Sequence, residues 1–210
     1  MMKIELKKIE HSPSLSEETE AFTAHLYIDG KHAAYLKNQG TGGMTDIHPT
    51  DQAGAKMVWE AVAYCKTLPP QTYTGFDGKE HSLAVDLQSY IDQLLYEHLE
   101  AKFQARMERA MADHIVIGHP DDNAYRTLKL KFEINLLLVH PRGPEILTDI
   151  LRTRVLPQLT EGQMVMNTNL PEELLQKAGL KEGQYQQPKA RNEEKQVKKT
   201  GRRNHKGPKP

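Results

Sequence analysis

The residues richest in possible chemistry lie between Asn38 and Pro49, in the run Gly40-Thr41-Gly42-Gly43-Met44-Thr45-Asp46-Ile47-His48. Glycines let a backbone come close to a ligand, and Thr41 and Thr45 offer hydroxyls. A loop that follows a strand and precedes a helix can also turn unpaired N–H groups toward an anion. Gly40, Thr41, Gly42, Gly43, Thr45, Asp46 and His48 are therefore the candidate ligand- or anion-binding residues. The run lacks the Gly-Lys-Ser/Thr ending of a P-loop and has the wrong spacing for a dinucleotide fingerprint. Its plainer alternative is a crossover loop whose glycines serve backbone geometry.

Asp46 and His48 have the chemistry of a general base pair or of two metal ligands. His119, Asp121 and His140 occupy turn-like contexts and would complete a divalent-metal set if the loops converged. No His-x-x-x-His or His-Glu-x-x-His spacing is present, so these histidines read as solvated turn residues, and neither a metal nor a cofactor is expected. Cys65, the only cysteine, falls on the apolar stripe of a helix and reads as a small core residue rather than a nucleophile. No residue is assigned a catalytic role. Trp59 reads as a partly buried anchor, and the aromatic residues are not interleaved with Lys and Arg along the chain as they are in single-strand binders.

The formal net charge is zero, but the last thirty residues carry ten Lys and Arg against three Glu. The excess of +7 is balanced by −7 on the rest of the chain. Cationic segments gain by displacing counterions from phosphates, so Lys195, Lys198, Lys199, Arg202, Arg203, Lys206 and Lys209 are candidate nucleic-acid contacts to DNA or RNA. The alternatives are a solubility tail, or one that meets an acidic surface on this chain or a partner. The longest aliphatic run, Leu136–Val139, is far below the roughly 20 residues of a membrane span, and the N-terminus has no signal-peptide core. With one cysteine, the expectation is a cytoplasmic protein without membrane association.

The elements that must position these groups read as α+β. Lys3–Ile9, Ala21–Asp29 and Lys31–Lys37 alternate apolar and polar residues, the last with Ala33 and Tyr35 inward, and Asp29-Gly30 joins two of them as a hairpin turn. This predicts a three-stranded antiparallel meander. Helices are expected over Asp51–Lys66 with Thr50 as N-cap, over Asp86–Met111, and over Pro144–Leu156. A shorter one is expected over Leu170–Ala178, capped by Asn169 or Thr168 and closed by Gly179. Gln71–His81 reads as a linker, His114–Gly118 and Tyr125–Phe132 as paired strands, and Met164–Met166 as a last strand. The long Asp86–Met111 helix has length to spare for a protein partner or self-association. One globular domain over 1–180 and a disordered basic tail over 181–210 complete the expected organisation.

The strand Lys3-Ile4-Glu5-Leu6-Lys7-Lys8-Ile9, the hairpin Tyr27-Ile28-Asp29-Gly30-Lys31, the loop Gly40–Pro49 and the helix end Ala63-Tyr64-Cys65-Lys66-Thr67-Leu68-Pro69-Pro70 resemble small uncharacterised proteins of bacteria and of their phages or mobile elements. The resemblance implies that setting and carries no activity or site residues. The expected function is a non-enzymatic, nucleic-acid-associated accessory protein held by its basic tail. A ligand-binding protein or enzyme built on Gly40–His48 is one alternative, and an adaptor using the long helix is another.

Overall fold

In the computed structural model, which describes residues 1–75 and 78–188, the chain forms two compact units, Met1–Lys102 and a second that begins at Phe103. The architecture is α+β, with five α-helices and antiparallel sheets among the described residues.

The first unit opens with a four-stranded antiparallel sheet in sequential order: β1 (Ile4–His11), β2 (Phe22–Ile28), β3 (Lys31–Asn38) and β4 (Asp46–Pro49). The fourth strand corrects the three-stranded expectation. It is only four residues long and ends in a proline, so alternation could not announce it, yet Ile47 pairs with Leu36 and extends the sheet. The Asp29-Gly30 turn is present, with φ of 48° and 78° at its two residues, the positive pair that a type I′ hairpin requires.

A bulge then changes which residues face inward. Tyr27 pairs with His32 beside the turn, but Leu26 pairs with Ala34, so Ala33 is an extra residue on β3. Because side chains alternate with a period of two, this single insertion inverts the rest of the strand. Ala34 and Leu36 are buried, and Tyr35, expected inward, is 49% exposed.

One face of the sheet is covered by α1 (Gln52–Cys65) and by α2 (Leu87–Ala110), whose first part belongs to this unit. Leu26, Ile28 and Leu36 pack there with Ala61 and Cys65 of α1 and with Leu87, Ile91 and Leu95 of α2. The N-cap of α1 is Asp51, whose carboxylate accepts the Gly54 N–H at 2.7 Å. Thr50, the expected cap, instead donates its N–H and hydroxyl to the Ala33 carbonyl exposed by the bulge. At the start of α2 the Asp86 carboxylate accepts the Ser89 N–H, which holds its carboxyl below the usual range. The expected linker is a hairpin, β5 (Gln71–Thr74) with β6 (Glu80–Leu83), all eight residues of which are exposed.

The second unit holds the end of α2, then β7 (His114–Gly118) paired with β8 (Tyr125–Lys129), as the sequence implies. Next come α3 (Ile134–Val139), absent from the sequence reading, and α4 (Gly143–Ile150), which continues through a π-turn to Val155 and a 3-10 turn over Leu156–Gln158. The short β9 (Met164–Val165) joins β7, and α5 (Glu172–Lys177) follows. Pro171 occupies the α5 cap position, and Asn169 is spent elsewhere, donating to the Met111 carbonyl at 2.7 Å. Asn167 is fully buried; it accepts the Val116 N–H at 2.7 Å and donates to the His114 carbonyl at 3.0 Å, fixing the edge of β7. Order reaches past Leu180. Tyr185 is 5% exposed, bridges to Val165, and donates its hydroxyl to Glu172, so the first residues of the expected tail belong to the core.

Candidate functional site

The glycine run folds against the segment Leu15–Thr19. The Gly40 carbonyl accepts N–H groups from Glu17, Glu18 and Thr19 at 2.9, 3.0 and 3.3 Å. Gly40 has φ of +86°, and a Cβ there would meet the Leu15 carbonyl oxygen at 2.2 Å, so the glycine is required by this close crossing. Asn38 ties the loop from within. Its Oδ1 accepts from Gly40 N–H and the Thr19 hydroxyl, and its Nδ2 donates to the Gly43 carbonyl and Thr45 Oγ1. The Gly42 N–H donates to Thr19 Oγ1 and the Thr45 N–H to Gln88 Oε1. These N–H groups are engaged within the chain, and the helix that follows carries its own carboxylate at its N-terminus. Thr41 is exposed and Thr45 is buried. Beside Gly43 lies a cavity of about 200 Å³ whose wall includes the Asp92 and Glu20 carboxylates; burial pushes the Asp92 carboxyl up.

Asp46 and His48 lie not in a loop but on β4, where they pair with Lys37 and Tyr35. His119, Asp121 and His140 belong to the second unit, and among the described residues no three His, Cys, Asp or Glu form a metal-holding group. Cys65 is fully buried, and that burial pushes its thiol up, away from the reactive thiolate. Trp59 is 77% exposed, which corrects the partly buried expectation; it sits on the face of α1 turned from the sheet. The apolar stripe of α2 is largely spent in the chain's own cores: Leu87, Ile91 and Leu95 in one unit, Met107 and Met111 in the other. Lys195, Lys198, Lys199, Arg202, Arg203, Lys206 and Lys209 lie outside the described residues. No helix among the described residues is long and apolar enough to cross a membrane.

The face of the four-stranded sheet turned away from α1 and α2 carries a constellation that sequence reading missed. The register arranges it in rows across the strands: Glu5, Tyr27 and His32; Lys7, His25, Tyr35 and His48; Glu10, Thr23, Lys37 and Asp46. Four rings touch. His25 and His32 stack with centroids 4.6 Å apart and planes 13° from parallel, and Tyr27 stacks on His32 at 5.2 Å. Tyr35 stands nearly perpendicular to His25 and His32, 4.8 and 4.7 Å away, with half its surface in solvent. The Lys7 ammonium lies 4.2 Å from the Tyr27 ring centroid, a cation–π contact.

Protonation states favour ring contacts here. Burial, then the neighbouring charges of Lys8 and His32, lower the His25 pKa, so this imidazole is neutral near pH 7. Its Nδ1 is buried without a hydrogen-bond partner. His32 Nε2 donates to the Ala34 carbonyl, which fixes that ring in place. Lys3, 3.0 Å from Glu5, holds the Glu5 carboxyl below its usual range, and Lys7 adds to the effect. Aromatic side chains and Lys7, which are apart in the chain, thus share one surface. Comparisons with family models, with curated proteins and with solved structures found no match.

Proposed function

We propose that this chain is a non-enzymatic, nucleic-acid-associated accessory protein that holds single strands on the outward face of its N-terminal sheet. The observation that carries the reading is Tyr35, half exposed and locked by His25 and His32 in a ring cluster flanked by Lys7 and Lys37. Unpaired bases stack on such aromatic faces, whereas bases inside a duplex have theirs covered. A ring already held by its neighbours loses little side-chain entropy when a base settles on it.

The face itself is not strongly basic, since Glu5, Glu10 and Asp46 share it with Lys7 and Lys37. Long-range attraction falls to the segment after Pro188, with nine Lys and Arg against two Glu. The two parts divide the work: the cationic segment gathers a polyanion, and the sheet selects unpaired bases. A bacterial, phage or mobile-element setting, which the sequence resemblance implies, suits an accessory protein of this kind.

The test is fluorescence anisotropy with single-stranded and duplex oligonucleotides over a salt series, comparing the full chain with one ending at Pro188. If about 4–6 cationic residues meet phosphates, the full chain shows a single-strand slope of roughly −3 to −4 in log K against log salt. The shorter chain binds more weakly with a flatter slope but keeps its preference for single strands. Equal affinity for both strand types, or no binding at low salt, overturns the reading.

A further inference from the structure

Beside the ring cluster, along β2 and β3, the same sheet face sinks into a hollow of about 420 Å³. Glu10, Thr23 and Lys37 form its sheet wall as one register row, and Gln39 borders it. Leu15 and Ala21 supply apolar wall. Neighbouring strands lie about 4.8 Å apart, so Glu10 and Lys37 flank Thr23 with backbones roughly 10 Å from each other. That places an acceptor-only group on one side and a donor-only group on the other, with a small side chain between them. Lys37 is two residues from Tyr35 on the same strand face, roughly 7 Å along β3, so a strand stacked on Tyr35 has its next base at the hollow.

We infer that this hollow is a base-reading pocket selective for guanine, an inference that rests on the single-strand reading of the sheet face. Guanine presents two adjacent N–H donors, N1–H and the 2-amino group, which match both oxygens of the Glu10 carboxylate. Its O6 and N7 acceptors lie along the neighbouring edge, where the Lys37 ammonium donates. Adenine and cytosine offer one amino group beside a ring acceptor, so a lone pair would face the second carboxylate oxygen. Uracil and thymine place a single N–H between two carbonyls. Thr23, between the two charges, is short enough to leave the base room, and its methyl gives a flat base an apolar floor.

The experiment is a competition titration of the full chain with short single-stranded oligonucleotides that differ only in one base, guanine against adenine, cytosine and uracil. The expected result is a guanine preference of roughly 5- to 150-fold, the range of one good bidentate contact. Glu10→Gln replaces one acceptor oxygen by a donor on an exposed side chain; it should erase the preference, so that the guanine oligonucleotide binds no more tightly than the other three. Equal wild-type affinity for all four bases overturns the pocket, and the single-strand reading then stands or falls on its own sensitivity to Tyr35. A preference that survives Glu10→Gln also overturns it. A full chain that binds none of the four overturns both.

Discussion

Tyr35→Ala isolates the central contact of the sheet face. Its ring meets His25 and His32 nearly at right angles, half its surface is in solvent, and it belongs to none of the hydrophobic cores, so truncation removes two ring contacts and leaves the core packing in place. Such contacts are worth about 0.5–1.5 kcal/mol each, which bounds the loss of stability near 1–3 kcal/mol and leaves the fold intact. The loss of a stacked base is worth about 1–3 kcal/mol, or roughly 5- to 150-fold in Kd for a single strand. Tyr73→Ala is the matched control, because Tyr73 has the same 49% exposure and also meets a histidine ring, but on the β5–β6 hairpin. Anisotropy titrations at one salt concentration, with melting curves beside them, separate binding from folding. Tyr35→Ala should weaken single-strand binding and leave duplex binding at its basal level, while Tyr73→Ala changes neither. Equal effects of the two substitutions, or none from Tyr35→Ala, would refute the stacking argument.

The depressed pKa of His25 means that the unfolded chain binds more protons below the ordinary value of 6.5. The stabilising contribution is therefore whole above pH 6.5 and is lost as pH falls through the folded value; Glu10, the one opposing charge, softens the fall. His25→Phe keeps a stacked ring and has no proton to gain, so its melting temperature should drop less steeply on acidification than that of the wild type, as thermal scans across pH would register. Ile91 is fully buried and Leu94 only half-buried, so Ile91→Ala should cost about 2–5 kcal/mol in denaturant unfolding and Leu94→Ala clearly less. Asn167→Ala strands the buried Val116 N–H and His114 carbonyl, and a loss of about 2–5 kcal/mol in the same assay is expected.

The long-range consequences of one inserted residue explain what the sequence could and could not convey. Asp29-Gly30 announced its hairpin, and the spacing of Leu87, Ile91 and Leu95 announced α2 to within a residue at each end. His25 and Tyr27 alternate with the buried Leu26 and Ile28, so half of the outward face was visible as a pattern. Tyr35 was not, because unbroken alternation from the turn points it into the core. Only the bulge at Ala33, a property of how β2 and β3 pair, turns it outward beside His25. Short elements escaped for a different reason. Four-residue strands such as β4, β5 and β6 hold too few periods to register, and α3 is six residues long, four of them the aliphatic run Leu136–Val139, which shows no period. Tyr185 stood alone among polar residues, and its burial depends on Val165 and Glu172, which meet it only in the fold.

The most direct measurement is NMR mapping of amide and ring signals in the full chain as a short single-stranded oligonucleotide is added. The largest shifts should fall on His25, Tyr27, His32 and Tyr35, on Lys7 in the same row as Tyr35, and on Lys37 two residues along β3, with the α1–α2 face of the sheet unchanged. Shifts confined to residues beyond Pro188, with those four rings undisturbed, would contradict the account.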